Sequence, residues 1–140
     1  MNCKGLYSIS LPKNLTEIGQ EAFSGCVSMV SIDIPDSVKI IGVQAFYRCQ
    51  SIATVTIPRN VTSIDEGVFM NCWNLTNVSL HDTVESIGQY AFYGCKKLTD
   101  ITIPSSVTSI GHHFNKTIHA PAGSYAESYA KENKIPFVAE

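Results

Sequence analysis

The chain has 140 residues, of which 44% are hydrophobic and 16% are charged, and its formal net charge is −2. This length suffices for one folded domain and is short for two. Because it has neither a basic stripe for a phosphate backbone nor an apolar run near the roughly 20 residues of a membrane span, we expect no nucleic-acid binding and no direct membrane insertion.

A repeat with a period of 23 residues runs from Cys3 to Gly111 and reads C-x2-L-x2-I-x-I-P-x2-V-x2-I-G-x2-A-F-x2-C. A period in this range is typical of a solenoid, in which a unit buries its apolar side chains only against neighbouring units. Copies of each residue should therefore stack about 4.8 Å apart, the spacing of β-strands. We expect two such stacks at the centre of the core: Phe23, Phe46, Phe69 and Phe92, and Cys26, Cys49, Cys72 and Cys95.

Within one unit the first predicted element is a short strand, in which Ile32 and Ile34 alternate with Ser31 and Asp33. The proline that follows lacks an N–H group and should end the ladder. V-x2-I-G predicts a second short strand, whose glycine suits a backbone bend that a Cβ would obstruct; Asp65 is the exception. A-F-x2-C predicts one turn of α- or 3₁₀-helix that points Phe and Cys inward.

These I-P, V-x2-I-G and A-F-x2-C landmarks resemble those of the BspA-like leucine-rich repeats. The resemblance covers about Cys3 to Gly111. It implies a right-handed, β-dominated solenoid with two short strands per coil. We therefore predict five coils over residues 1–119, the first truncated, and a C-terminal cap over residues 120–140.

The last predicted element is a capping helix over about 124–133. Ser124 and Glu127 form a capping box, and Tyr125 and Tyr129 lie on one apolar side. This helix should cover the end of the last coil. In that coil HHFN replaces x-x-A-F, so only Phe114 can take the aromatic position, one residue early.

The first coil has no comparable cap. Leu6, Ile9 and Leu11 would lie on an open edge with unpaired strand groups. Two interpretations fit this edge. The chain is the C-terminal part of a longer repeat protein, with any export signal upstream of Met1, or the short chain covers the edge by end-to-end self-association.

The cysteine column is the first candidate for chemistry. Stacked cysteines would lie within the Cα range of a disulfide, but their side chains point the same way, so we expect free, buried, structural thiols. A disulfide and a metal site are the alternatives, and no C-x2-C pair supports metal. We interpret His81, His112, His113 and His119 as loop and cap residues. No nucleophile elbow, P-loop or dinucleotide motif is present, so we predict no enzyme activity, metal or cofactor.

Two groups of residues are candidates for binding. The outward positions of the first strand form a hydroxyl-rich face that is suited to a broad protein or glycan surface, although exposed strands need polar β-formers in any case: Ser31, Asp33, Thr54, Thr56, Asn77, Ser79 and Asp100. The position after the core phenylalanine carries larger side chains, which are the usual anchors of interfaces: Tyr47, Met70 and Tyr93.

The resemblance implies a cell-surface or secreted bacterial protein engaged in adhesion. We therefore predict a non-enzymatic recognition module that binds a protein or glycan on a host or microbial surface. The alternative is a structural spacer within a larger surface protein, since a fold does not determine function.

Overall fold

The computed structural model describes residues 3–140, so Met1 and Asn2 of the predicted repeat region lie outside the described part. Its elements, in chain order, are β1 (Glu17–Ile18), β2 (Ile40–Ile41), β3 (Thr54–Thr56), β4 (Ser63–Ile64), β5 (Asn77–Ser79), β6 (Ser86–Ile87), β7 (Asp100–Thr102), β8 (Ser109–Ile110), β9 (Thr117–Ala120), α1 (Tyr125–Glu132) and β10 (Phe137–Ala139). No helix among the described residues is long and apolar enough to cross a membrane.

The strands pair in parallel from one coil to the next, and the pairing follows the sequence repeat. Thr54 pairs with Asn77 in β3 and β5, and Ser63 pairs with Ser86 in β4 and β6, each 23 residues later. β8 extends the second ribbon as β4-β6-β8. The result is a β-solenoid of about five turns with one short C-terminal helix, which confirms the predicted fold. We number the coils one to five as residues 3–25, 26–48, 49–71, 72–94 and 95–117.

The segment between V-x2-I-G and the cysteine is a series of turns, so the prediction of a helical turn is wrong. Residues at two fixed positions of the repeat have left-handed backbone conformations, for example Gln44 with φ 54° and Arg48 with φ 58°. A right-handed helix needs an uninterrupted run of negative φ, and two left-handed residues four positions apart prevent it.

These turn segments are nevertheless joined to one another by a regular backbone ladder. Alternate N–H groups donate to carbonyls of the next coil, as in Phe23 to Ala45 at 2.8 Å and Phe46 to Val68 at 3.0 Å. Three such bonds form at each of the first three junctions between coils. The turn side is therefore joined from coil to coil by main-chain hydrogen bonds, as the strands are.

The core phenylalanines form the stack that the repeat predicts. Successive ring centroids from Phe23 to Phe92 are 5.4, 5.4 and 5.8 Å apart, and the rings are within 11° of parallel. Phe114 continues the column but lies perpendicular to Phe92 at 6.2 Å, and Tyr129 of α1 lies perpendicular to Phe114 at 6.4 Å. The column therefore ends against the capping helix.

The cysteines line a second buried column beside the phenylalanines. All five are free, and those from Cys26 to Cys95 are fully buried. The Cys49 Sγ donates to the Phe23 carbonyl at 3.1 Å, and the same bond recurs one and two coils later. Burial raises the pKa of the Cys49 thiol to about 12. Protonated thiols thus act here as buried hydrogen-bond donors.

The glycine of V-x2-I-G is needed for close approach between coils and not for a left-handed bend. A Cβ on Gly42 would lie 2.6 Å from the Gln20 nitrogen, and one on Gly88 would lie 2.7 Å from the Asp65 carbonyl carbon. Asp65 itself carries a Cβ at this position. Within the described residues β2 and β4 do not pair, whereas β4 and β6 do. The Asp65 Cβ therefore holds coils two and three apart on this side.

The C-terminal cap is built from α1 and two strands. The Ser124 side chain accepts from the Glu127 N–H at 3.3 Å, and the Tyr129 hydroxyl donates to the Gly111 carbonyl at 2.8 Å. β9 pairs with β7 and with β10, so the boundary predicted between residues 119 and 120 falls inside a strand shared by repeat and cap. Lys116 is buried and donates to the Cys95 carbonyl at 2.7 Å; burial lowers its pKa.

Candidate functional site

The surface of the turn segments, which we call the turn face, carries two exposed aromatic side chains, Trp73 and Tyr93, whereas the more exposed Tyr7, Val30 and Ile40 lie outside it. It comprises the residues after the core phenylalanines and the residues after the cysteines, together with Arg48, which contacts Tyr47, and Tyr90 and His113, which contact Tyr93. The residues after the phenylalanines are Ser24, Tyr47, Met70 and Tyr93, and those after the cysteines are Lys4, Val27, Gln50, Trp73 and Lys96. Tyr93 is 43% exposed and Trp73 is 40% exposed, while Tyr47 and Met70 are partly buried. The structure thus places the predicted residues Tyr47, Met70 and Tyr93 along one side of the solenoid.

Three aromatic rings meet at the C-terminal end of the turn face. The rings of Tyr90 and His113 stack at 4.2 Å and 11°. Tyr93 meets both rings edge-on, with centroids 5.7 Å from Tyr90 and 6.2 Å from His113. His113 lies in a loop, as the sequence predicts, and it also lies 23 residues after Tyr90; this shared repeat position is the signal that could have identified the stack.

Two cations lie over aromatic rings elsewhere on the turn face. The Lys96 Nζ lies 4.6 Å from the centroid of the Trp73 ring, and the Arg48 guanidinium carbon lies 5.3 Å from that of Tyr47. Cation–π contacts of this kind orient long side chains that would otherwise move freely in solvent. Tyr47 could be identified from the repeat, whereas the positions of Arg48 over Tyr47 and of Lys96 over Trp73 could not.

A cavity of about 430 Å³ opens on the turn face near the first two coils. Its lining includes Lys4, Ser24, Tyr47, Arg48 and Gln50. A volume of this size is within the range of about 300–1,000 Å³ that is typical of small-ligand sites.

The strand face is formed by the outward positions of β3, β5 and β7 and by the equivalent residues of coil two. Its predicted residues are all exposed: Ser31, Asp33, Thr54, Thr56, Asn77, Ser79 and Asp100. Within residues 3–140 the ladder is interrupted, since β3 pairs only with β5 and the first two coils share a single bridge between Ser10 and Asp33. A recess of about 70 Å³ lies beside Asn77 and Asp100. The Asp100 carboxylate already accepts the Thr99 hydroxyl at 2.6 Å.

Histidines and acids do not converge into a metal site in the described part of the chain. His119 lies 3.2 Å from the Glu140 carboxylate in the cap, and His113 belongs to the aromatic cluster. The side chains available for chemistry on the turn face are therefore aromatic rings, two unpaired cations near the cavity, and neutral hydrogen-bonding groups.

Comparisons with known proteins identify the repeat. The family model described as BspA type leucine rich repeat region matches residues 1–119 in six copies, where the sequence had been divided into five coils. A leucine rich cell surface protein from Faecalibacterium prausnitzii is 39% identical with a TM-score of 0.77, over 85% of this chain and 34% of that one.

The leucine rich repeat protein of T. pallidum is 29% identical with a TM-score of 0.74, over 81% of this chain and 58% of that one. This chain thus spans about a third of the first structure and under two thirds of the second. The comparison with curated proteins finds no match. The matched repeats and the shared fold establish that the chain belongs to the BspA-type leucine-rich repeat family.

Proposed function

We propose that this chain is a non-enzymatic recognition module of a bacterial cell-surface or secreted protein, and that it contributes to adhesion through the turn face. The observation that carries the proposal is the cluster of Tyr90, Tyr93 and His113 on the same face as the exposed ring of Trp73. Tyr and Trp are the residues most often responsible for binding energy at interfaces. The similarity to a protein described as a cell surface protein supports the location.

The backbone beneath these rings favours the turn face over the strand face. The ladder between turn segments holds the positions of Tyr47, Met70 and Tyr93 through carbonyl bonds to the neighbouring coil. A surface fixed in this way loses little conformational entropy on binding. The strand face offers short polar side chains, each of which contributes a weak hydrogen bond that replaces one to water.

The repeat supplies substitutions that remove the aromatic rings without disturbing the fold. Serine occupies the position of Tyr93 in coil one, and glutamine occupies the position of Trp73 one repeat earlier. The double variant Tyr93→Ser, Trp73→Gln should therefore fold normally. Its matched control is Thr54→Ser, Asn77→Ser on the strand face, because Ser31 occupies that position in coil two.

The test measures binding of the biotinylated chain and its variants to a printed array of extracellular matrix proteins and glycans. We expect the turn-face variant to lose at least tenfold in affinity for the array components that the unmodified chain binds, and the control to lose less than twofold. Thermal melting of all three should agree. A chain that binds no component supports the spacer alternative, and equal binding by both variants contradicts the choice of face.

A further inference from the structure

The cavity on the turn face is a more defined site than the open aromatic surface beside it. It lies where the turn segments of coils one and two meet the start of the next strand, and Ser24, Tyr47 and Gln50 contribute to its wall. These residues come from three successive coils, so the cavity exists only because the repeats stack.

The charge in this cavity has one sign. Lys4 and Arg48 line it and none of its lining residues is acidic, although the whole chain has a net charge of −2. Neither cation pairs with a carboxylate anywhere in residues 3–140. Two unpaired cations at one concave surface attract an anion, and the curved wall reduces the screening that solvent provides on a flat surface.

Arg48 is held in position at a conformational cost. Its φ is 58°, and the equivalent residues of the other coils are Gly25, Asn71 and Gly94, which adopt this left-handed conformation more readily. The guanidinium group lies over the Tyr47 ring at 5.3 Å. Glycine would suit the repeat at this position, so the fold does not require arginine. The planar guanidinium group can donate two parallel hydrogen bonds to one anionic group, and this capacity explains the residue.

The remaining wall offers neutral donors and acceptors and a partly buried ring. The Ser24 hydroxyl and the Gln50 amide can bond to hydroxyl groups, and Tyr47 provides an apolar surface. We infer that this cavity binds an acidic sugar unit of a glycan, with its carboxylate or sulfate group on Lys4 and Arg48 and its hydroxylated ring against Tyr47, Ser24 and Gln50. The inference rests on the proposed function in that it names one ligand class for the turn face.

The experiment follows backbone amide signals of the ¹⁵N-labelled chain by NMR during titration with glucuronic acid, glucose 6-sulfate, glucose and sodium acetate. We expect one or both acidic sugars to shift the signals of Gly25, Arg48 and Gln50, and the choice between them identifies the anionic group. Glucose and acetate, which each lack one half of the ligand, should cause shifts only at concentrations at least tenfold higher.

Arg48→Gly is the decisive variant because Gly25 and Gly94 show that glycine fits this position. We expect it to weaken sugar binding about tenfold or more, as for a lost hydrogen bond to a charged group. The control is Lys96→Gln, which removes a cation outside the cavity and introduces the residue found at Gln50. It should change binding less than twofold.

Three results would overturn the inference: no shift with either acidic sugar, equal binding of acetate and the acidic sugars, or unchanged binding by Arg48→Gly. Each of these results is distinct from failure of the proposed function, which is tested by the array binding of the Tyr93→Ser, Trp73→Gln variant. A chain that binds the array through those rings but binds no acidic sugar retains the proposed function and loses this site.

Discussion

Substitution of Gly88 by alanine tests whether backbone contact between coils determines how this solenoid stacks. The added Cβ would lie 2.7 Å from both the Asp65 carbonyl carbon and the Glu66 nitrogen. Ordinary contacts of this kind are no closer than about 3.4 Å, so the coils must separate by about 0.7 Å or distort. The Gly88 N–H bond to the Ile64 carbonyl, now 2.6 Å long, would be lost or stretched.

The expected cost follows from these two effects. Overpacking costs about 1–3 kcal/mol, and a weakened hydrogen bond adds about 1 kcal/mol. We therefore expect Gly88→Ala to lower the free energy of unfolding by about 2–4 kcal/mol. Urea unfolding followed by circular dichroism would measure it, provided that the slope against urea is unchanged.

Gly19 is the matched control because it occupies the same repeat position in coil one. A Cβ there would meet no atom within 4 Å. Gly19→Ala should be neutral or should stabilise by up to about 1 kcal/mol, since alanine restricts the unfolded chain. If the two alanine variants unfold within 0.5 kcal/mol of each other, roughly the additivity error of such measurements, close backbone contact does not explain this glycine.

Three further predictions follow from the same stacking. Asp65→Gly should let β2 and β4 pair and should slow amide hydrogen exchange in β4. The net change in stability should stay within about 1 kcal/mol, because the conformational entropy of glycine offsets the new bonds. Unchanged exchange would refute the claim that the Asp65 Cβ holds coils two and three apart. Phe69→Ala, at a fully buried ring stacked on both sides, should cost about 3–5 kcal/mol, and Phe23→Ala, at a partly buried ring stacked on one side, about half of that in the same urea assay. The free energy of unfolding should fall as the pH rises from about 9 to about 12, because the Cys49 thiol has its ordinary pKa of 9.0 in the unfolded chain and a pKa of about 12 in the folded chain. The same fall should be shallower in Cys49→Ala. Equal slopes of unfolding free energy against pH in the two proteins would contradict this prediction.

Repetition explains why the coil stacking could be predicted from the sequence. A column such as Phe23 to Phe92 is visible in the sequence because one physical requirement, burial against a copy of itself, recurs in four coils. The same applies to the glycine column, where the missing Cβ allows close approach between coils. The left-handed residues lie two positions later, as at Gln44 and Tyr90. Here the pattern identified the residue and left two physical causes open.

The turn segments could not be predicted from local propensity. Gln44 and Arg48 have ordinary helix propensity and left-handed backbones, because donation to the next coil outweighs the intrinsic preference of each residue. The interruption of pairing at Asp65 was missed for a similar reason. A single Cβ changes the distance between coils, and only coordinates of both coils reveal which atoms it meets.

The turn face shows where such a solenoid is free to acquire function. Its backbone ladder uses no side chain, so the position after phenylalanine carries Ser24, Tyr47, Met70 and Tyr93 without a change in fold. If these positions were merely unconstrained by stacking, small polar residues would be favoured, because they are well solvated on the surface. An exposed tyrosine and an arginine at positive φ are costlier than the serine and glycine that the same positions accept in other coils. Stacking does not require either residue, and the proposed binding at the turn face is an explanation that accounts for both.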